Sequence, residues 1–426
     1  MKQILIVGSG GREHALTWKL KQSSKIERIY VAPGNGGTQI IAQNVDIAET
    51  DLDGISQFVA DRKIDLTVVG PELPLSVGLV NRLSRSGFRA FGPSRQAARL
   101  ETSKIFAKEF MTRHNIPTAP YRVAAEFNEA LNMVREIGLP VAIKADGLAA
   151  GKGVVVCHDF AEAKAALASM IVEEKFGPAG RSVVVEAGLS GEEISLLAFC
   201  DGYTAVPMLI AQDHKAVYDG DQGPNTGGMG SFAPVSHLAP DVVGNILKTI
   251  VQPTVDGMRA EGNPFRGILY TGLMLTGEGP RVLEYNVRFG DPETQATLPL
   301  LKTDLLDILG ACMEGSLAQT PIEWLPGACV CVVCASRGYP GPYEKGFPIR
   351  GITDAEQVPG VTVFHAGTHR DGNEWVTAGG RVLGVTCRAR DLPAAIEGAY
   401  QATARISFEG MHYRKDIGAK GLRHLS

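Results

Sequence analysis

Nowhere in its 426 residues does the sequence contain the run of about 18 uninterrupted apolar residues that a membrane-spanning helix needs. It also lacks a basic excess: the formal charge is -4, which withholds the electrostatic footprint of a nucleic-acid binder. Cysteine is scarce and odd in number, seven at scattered positions, which fits a reducing cytoplasm better than a disulfide scaffold. Cys331 and Cys334 form a C-x-x-C, with Cys329 beside them, inside the apolar run ACVCVVCAS. Zinc ligands usually sit on turns and a second pair is missing, so these read as buried-strand cysteines. There is no long-period repeat and no low-complexity linker. Small molecules remain the expected partners, with no nucleic acid and no membrane.

What is present is a folded composition, 44% hydrophobic and 21% charged, on a chain long enough for roughly three domains. The opening MKQILIV has only ILIV as an apolar run before GSGG, and reads as a first strand, not an export leader. From residue 1 to 103, short apolar strands alternate with amphipathic helices, which predicts a parallel sheet with helices on both faces. Residues 104–325 form a second region, within which about 123–189 reads as a small subdomain of three strands flanking one helix. Residues 326–426 hold three more strands and two helices. The fold class expected is therefore α/β and α+β, multidomain.

One segment, LEYNVRFGDPETQ (283–295), combines charge with apolar bulk. It follows RGILYTGLMLTGEGPR, so it reads as the second strand of a hairpin turned at Thr276-Gly277-Glu278-Gly279. Alternation puts Glu284, Asn286 and Arg288 on one face, and Leu283, Tyr285, Val287 and Phe289 on the other. The second face reads as core. The first is a row of oxygen ligands ending in a fixed positive charge, which a core strand rarely carries unless something binds there.

Three loops add to this. ILIVGSGGREHAL is strand, Gly-rich turn and helix, able to offer amides to an anionic group. A dinucleotide fingerprint would need glycine where Glu13 stands and an acid where the second strand ends in Val31-Ala32-Pro33, so a phosphate-bearing substrate suits the loop better than NAD; an unliganded tight turn is the plain alternative. IKADGLAAGKGVVV (143–156) joins two strands through Gly147, Gly151 and Gly153 with Lys144 and Lys152. It lacks P-loop order and no helix follows it; it reads as a hairpin flap suited to cover nucleotide phosphates, though Gly-rich surface hairpins are common. VVVEAGLSGEEISL offers Glu186, Glu192 and Glu193 near a hinge, and QDHKAVYDGDQGPNTGGMGSF (212–232) is too long and irregular for a mere turn.

In order along the chain, GSGGREHA, APGNGGT, VGPE, IKADGLAAGKGV, QDHK, GPNTGGMG, GILYTGLM, NVRFGDPETQ, FHAGT and GGRVL resemble the phosphoribosylamine-glycine ligases, or glycinamide ribonucleotide synthetases, of the ATP-grasp superfamily. The resemblance covers residues 2 to about 418. It implies an N-terminal α/β domain that binds substrate, an ATP-grasp with a mobile lid, and an α+β C-terminal domain. It implies ATP and Mg²⁺ or Mn²⁺, with glycine and 5-phosphoribosylamine as substrates, in a cytoplasmic monomer. Glu284 and Asn286 are similar to the family's metal ligands. Lys104, Lys144, Gly151, Lys152 and Gly153 resemble its phosphate-holding residues, Glu186, Ala187, Gly188 and Leu189 its adenine hinge, and Glu193 its ribose contact. Arg288, Lys215 and Asp213 fall at its reaction centre, and Gly10, Gly11, Arg12, Glu13, Asn225, Thr226, Gly227, Asp291 and Glu293 at its substrate positions. One position departs: Ala216 stands where the family commonly has arginine, which leaves Lys215 to substitute for a missing charge. An ATP-grasp carboxylase would share Glu284, Asn286 and the lid without needing GSGGREHA, and a non-catalytic nucleotide sensor is the alternative from another class.

Overall fold

The computed structural model describes residues 1–148, 153–238 and 240–423. Its first layer is a five-stranded parallel sheet in the order Gln43–Asn44, Ile26–Pro33, Lys2–Gly8, Leu66–Val69, Ala90–Phe91. Ile4, Leu5, Ile6 and Val7 are all fully buried, as a strand covered on both faces requires, and each such side chain stabilises the fold by about 1.5–3 kcal/mol. The loops that matter here leave the carboxyl ends of these strands, where open parallel sheets place ligands.

A serine switches the chain to the second region. Ser103 caps the helix Lys104–Arg113 by accepting from the Phe106 amide at 3.1 Å, and its hydroxyl donates to Asp146 at 2.9 Å. Asp146 follows the strand Val141–Ala145 directly, so this helix start is tied to the flap. The subdomain is a four-stranded antiparallel sheet in the order Tyr121–Ala124, Val183–Ala187, Val141–Ala145, Val154–Cys157. It carries two helices, not the single one expected: Phe160–Leu167, and Phe127–Ile137, whose buried Ala130, Leu131 and Val134 share one face. The flap does join an antiparallel pair, with Ala145 N donating to Gly153 O at 2.8 Å; Gly151 and Lys152 lie outside the described residues.

The larger sheet of this region runs Ala205–Pro207, Glu192–Asp201, Arg266–Thr276, Gly279–Asn286. The hairpin forms with Thr276 opposite Gly279, and Gly279 has φ +108°, which glycine tolerates without the cost a side chain would bring. The register slips between Gly272 and Leu273, where Gly272 pairs with Glu284 but Leu273 pairs with Val282. Leu283 is the extra residue of this bulge and lines the cavity described below; Val282 takes the core place expected for Leu283. Tyr285, Val287 and Phe289 are buried as the alternation predicts, although the strand itself ends at Asn286.

A fourth sheet runs Gln212–Asp213, Gly230–Ala233, Ala328–Ala335, Arg381–Ala389, Val361–His365. The segment 212–232 therefore holds short strands, including the paired Ala216–Tyr218 and Gln222–Asn225, where a long irregular loop was expected. Cys329, Cys331 and Cys334 lie fully buried on the central strand of that sheet. Among the described residues no helix is long and apolar enough to cross a membrane.

Candidate active site

A cavity of about 640 Å³ opens where the four sheets meet. On its floor lie Glu284 and Asn286, presented by the hairpin strand, with Arg288 just beyond the strand end. Arg288 is gripped from several sides: its Nε lies 3.2 Å from Glu72, one terminal nitrogen lies 3.0 Å from Glu101 and 3.2 Å from the side-chain oxygen of Asn286, and the other donates to Phe289 O at 3.3 Å. Burial would weaken the guanidinium, but Glu101 and Glu72 hold its pKa well above the ordinary value.

Lys215 pairs with Glu193 and stands 3.6 Å from Glu284. Against the cost of burial, Glu193, Asp213 and Glu284 keep this ammonium charged far beyond its usual range. Burial raises Glu284 too, yet Lys215, Lys104, Lys144 and Arg288 overcome it and bring its carboxyl down to about 2. Asp213 has the opposite fate: burial, against the pull of Lys215 and with the help of Glu293, Glu193 and Glu284, pushes its carboxyl up. Four carboxylates and one lysine thus share a small volume.

Lys144 donates to Leu283 O at 2.7 Å and pairs with Glu186, which is buried and also paired with Lys108. Lys108 in turn donates to the Thr118 hydroxyl at 2.6 Å; burial, and Lys144 nearby, draw its pKa down to about 8. Of the expected hinge, Ala187 N donates to Pro120 O at 2.9 Å and Gly188 N to Pro140 O at 2.8 Å, while Leu189 lines the cavity beyond them. Lys104 enters from the other side, donating to Glu101 O at 3.3 Å. Glu192 does not join the lining; it turns to His237 at 2.9 Å and to Gln212 at 3.1 Å.

At the opposite end, Arg12, Asp291, Glu293, Asn225, Thr226 and Gly227 line the wall. Glu293 accepts from the Tyr270 hydroxyl at 2.7 Å. Arg381, from the fourth sheet, donates to Asp291 O at 2.7 Å and Gly227 O at 2.6 Å, and its other terminal nitrogen lies 3.3 Å from the Asp291 carboxylate. Asp291 resists the rise that burial would cause because Arg381 and Arg12 hold it below the usual carboxylate range. The Gly-rich loop differs from expectation. Gly10, Gly11 and Glu13 stand behind the wall, and only Arg12 reaches the cavity. The Gly10 amide donates to Glu13 at 2.6 Å and the Arg12 amide approaches Asp291 at 3.4 Å, so the helix start is occupied by the protein's own carboxylates. Ala216 is buried outside the lining, and its carbonyl accepts from Arg414 at 3.1 Å.

The cavity therefore gathers nearly all the expected side chains that the structure describes. Sequence reading passed over Glu72, Glu101, Lys108, Tyr270 and Arg381. Glu72 had a signal, since VGPE places it at the carboxyl end of a parallel strand. The metal expectation can be weighed against these donors. Glu284 and Asn286 are hard oxygen ligands in an ionised setting and fit Mg²⁺ or Mn²⁺. Among the described residues no three His, Cys, Asp or Glu side chains form a metal-binding group, so a metal here would draw further oxygens from a bound phosphate or water.

Comparison with known proteins finds one family along the length of the chain. The chain matches three models of one family: phosphoribosylglycinamide synthetase N domain over residues 2–101, ATP-grasp (A) domain over 102–294 and C domain over 329–420. It is 49% identical to the phosphoribosylamine–glycine ligase of Caldanaerobacter subterraneus subsp. tengcongensis, over 98% of this chain and 99% of that protein. It is 47% identical to the trifunctional purine biosynthetic protein adenosine-3 of Homo sapiens, over 99% of this chain and 42% of that protein. A crystal structure of phosphoribosylamine–glycine ligase from Thermotoga maritima superposes with a TM-score of 0.85 at 34% identity, covering 97% of this chain and 100% of that one. A biotin carboxylase domain from Hydrogenobacter thermophilus, at 16% identity and a TM-score of 0.76 over 97% of this chain and 91% of that one, shares the fold alone. With all three regions matched in order and about half of its residues shared along almost its whole length, the chain belongs to the phosphoribosylglycinamide synthetase family.

Proposed function

We propose that this protein joins glycine to 5-phosphoribosylamine at the expense of ATP, forming glycinamide ribonucleotide, ADP and phosphate. The observation that carries the reading is the convergence of Lys104, Lys144, Lys215, Arg288, Glu284 and Asn286 on one cavity whose far wall is Arg12, Asp291 and the Asn225–Gly227 loop. A carboxylate is a poor acylating agent because its leaving group would be oxide. The glycine carboxylate therefore attacks the γ-phosphorus of ATP, giving glycyl phosphate and ADP; the amine of phosphoribosylamine then attacks the acyl carbon and expels phosphate. Lys104 and Lys144 hold the phosphates, the segment Glu186–Leu189 holds adenine, and Glu193 meets the ribose. Arg288 and Lys215 stabilise the charge that develops during transfer, Asp213 sits beside the reacting groups, and Asp291, Glu293, Asn225, Thr226 and Gly227 orient the phosphoribosyl and glycyl substrates. Glu284 and Asn286 would hold Mg²⁺ or Mn²⁺, which would supply charge neutralisation for the phosphates.

The subdomain carrying the pair Val141–Ala145 and Val154–Cys157 acts as a lid that excludes water from the acyl phosphate. Residues 1–103 serve the phosphoribosyl substrate, 104–325 serve ATP, and 326–426 close the site from the third side. The protein works as a cytoplasmic monomer. The test is ADP release by purified protein. Release that requires both glycine and phosphoribosylamine supports the reading; release with bicarbonate in place of glycine, or nucleotide binding without turnover, overturns it.

A further inference from the structure

Taking Arg288 as the catalytic guanidinium of the proposed ligase, we infer that Glu101 is its positioning residue, holding the side chain and the backbone before it in a single grip. Glu101 belongs to the short helix Arg99–Thr102 and is 3% exposed. One of its oxygens lies 3.0 Å from Arg288, and the other accepts from the Val287 amide at 2.7 Å. Its own carbonyl accepts from Lys104 at 3.3 Å, so one residue links the lysine proposed for phosphate to the arginine proposed for charge stabilisation.

A purely structural role accounts for half of this. The strand ends at Asn286, Val287 is fully buried, and its amide needs an acceptor other than a ladder partner. A neutral glutamine would serve that amide equally well without the cost of burying a carboxylate. The second oxygen explains the charge. Arginine is a long side chain with many rotamers, and its forked donors reward a fixed acceptor on the far side from the substrate. Glu72 cannot be that anchor alone, because it makes one contact at 3.2 Å and its side chain is 30% exposed. Glu101 and Asn286 hold the same terminal nitrogen of the guanidinium, so that Arg288 lines the cavity in one fixed position.

The test is a double-mutant cycle on kcat with Glu101→Gln, Arg288→Lys and the combination, each checked for thermal stability and for KM of ATP. Glu101→Gln is expected to lower kcat by on the order of 100-fold with KM for ATP changed by less than about threefold. Arg288→Lys is expected to lose more, and the double variant to be no worse than Arg288→Lys within about threefold, because Glu101 acts through Arg288. Losses that multiply in the double variant overturn the inference and leave the ligase reading standing. Normal kcat in Glu101→Gln does the same. Full turnover in Arg288→Lys removes the role assigned to Arg288 and the inference with it. Should Glu101→Gln fail to fold, Glu101→Asp, which keeps the charge but shortens the reach, enters the same cycle with the same expected pattern.

Discussion

The amide of Gly10 donates to Oε2 of Glu13 at 2.6 Å, so a loop that looks ready for an anion is already bound to a carboxylate of its own helix. A β-carbon at Gly10 would meet that oxygen at 2.9 Å and Asp291 at 3.2 Å. Gly10→Val should therefore act through Asp291, lowering kcat/KM for phosphoribosylamine by about 10–100-fold while KM for ATP stays within about twofold. Steady-state kinetics with each substrate varied in turn would show this; equal losses for both substrates would mean that the loop serves the whole fold and not the phosphoribosyl end.

Glu284 and Asn286 face the cavity and not the core, so removing their ligand atoms should spare the fold. Glu284→Gln combined with Asn286→Ala should unfold within a few degrees of the parent protein yet lose at least about 1,000-fold in turnover. A variant that keeps near-normal rates at saturating Mg²⁺ would place the metal elsewhere.

Glu72 predicts an acid limb of stability. Burial tends to raise this carboxyl, but Arg288 and then Arg12 bring it from 4.5 down to about 2. Its contribution is thus complete above pH 4.5 and disappears as the pH falls towards 2, because over that range the unfolded carboxyl takes up a proton that the folded one refuses. Between pH 5 and pH 3 the loss should amount to about 2 kcal/mol. Urea midpoints of the parent protein and Glu72→Gln should draw together over that interval; a constant gap would assign the acid limb to other groups.

The chemical order can be followed by isotope. Glycine labelled with ¹⁸O in its carboxylate should deliver one labelled oxygen to inorganic phosphate in each turnover, since the acyl phosphate breaks at its carbon–oxygen bond. Label found in AMP, or none in phosphate, would rule out glycyl phosphate even for an active ligase.

Much of this arrangement could be read from local pattern, because alternation is a local property. The run Ile4–Val7 announces a strand buried on both faces, and Glu284 and Asn286 two residues apart announce a polar face. Leu283 broke that reading because the bulge depends on how the strand pairs with Leu273, which its own sequence does not encode. The helix Phe127–Ile137 was legible but overlooked: Phe127, Ala130, Leu131, Val134 and Ile137 fall on one face. Glu101 and Arg381 were beyond local reading, since their partners lie 186 and 90 residues away along the chain. Nor could a Gly-rich turn reveal that its amides were already taken by Glu13 and, from 279 residues on, by Asp291.

The fourth sheet has an ownership problem that shapes how the polypeptide can be divided. Gly230–Ala233 hydrogen-bonds to Ala328–Ala335 across almost a hundred residues of intervening chain, so neither segment completes a sheet without the other. A cut anywhere between them gives two pieces with unpaired strand edges, the larger deprived of its neighbour for Gly230–Ala233 and the smaller bare along its central strand. Such edges recruit whatever strand is near, and the piece with the stronger claim is the complementary one. The last hundred residues are thus less an appendage than the other half of a joint.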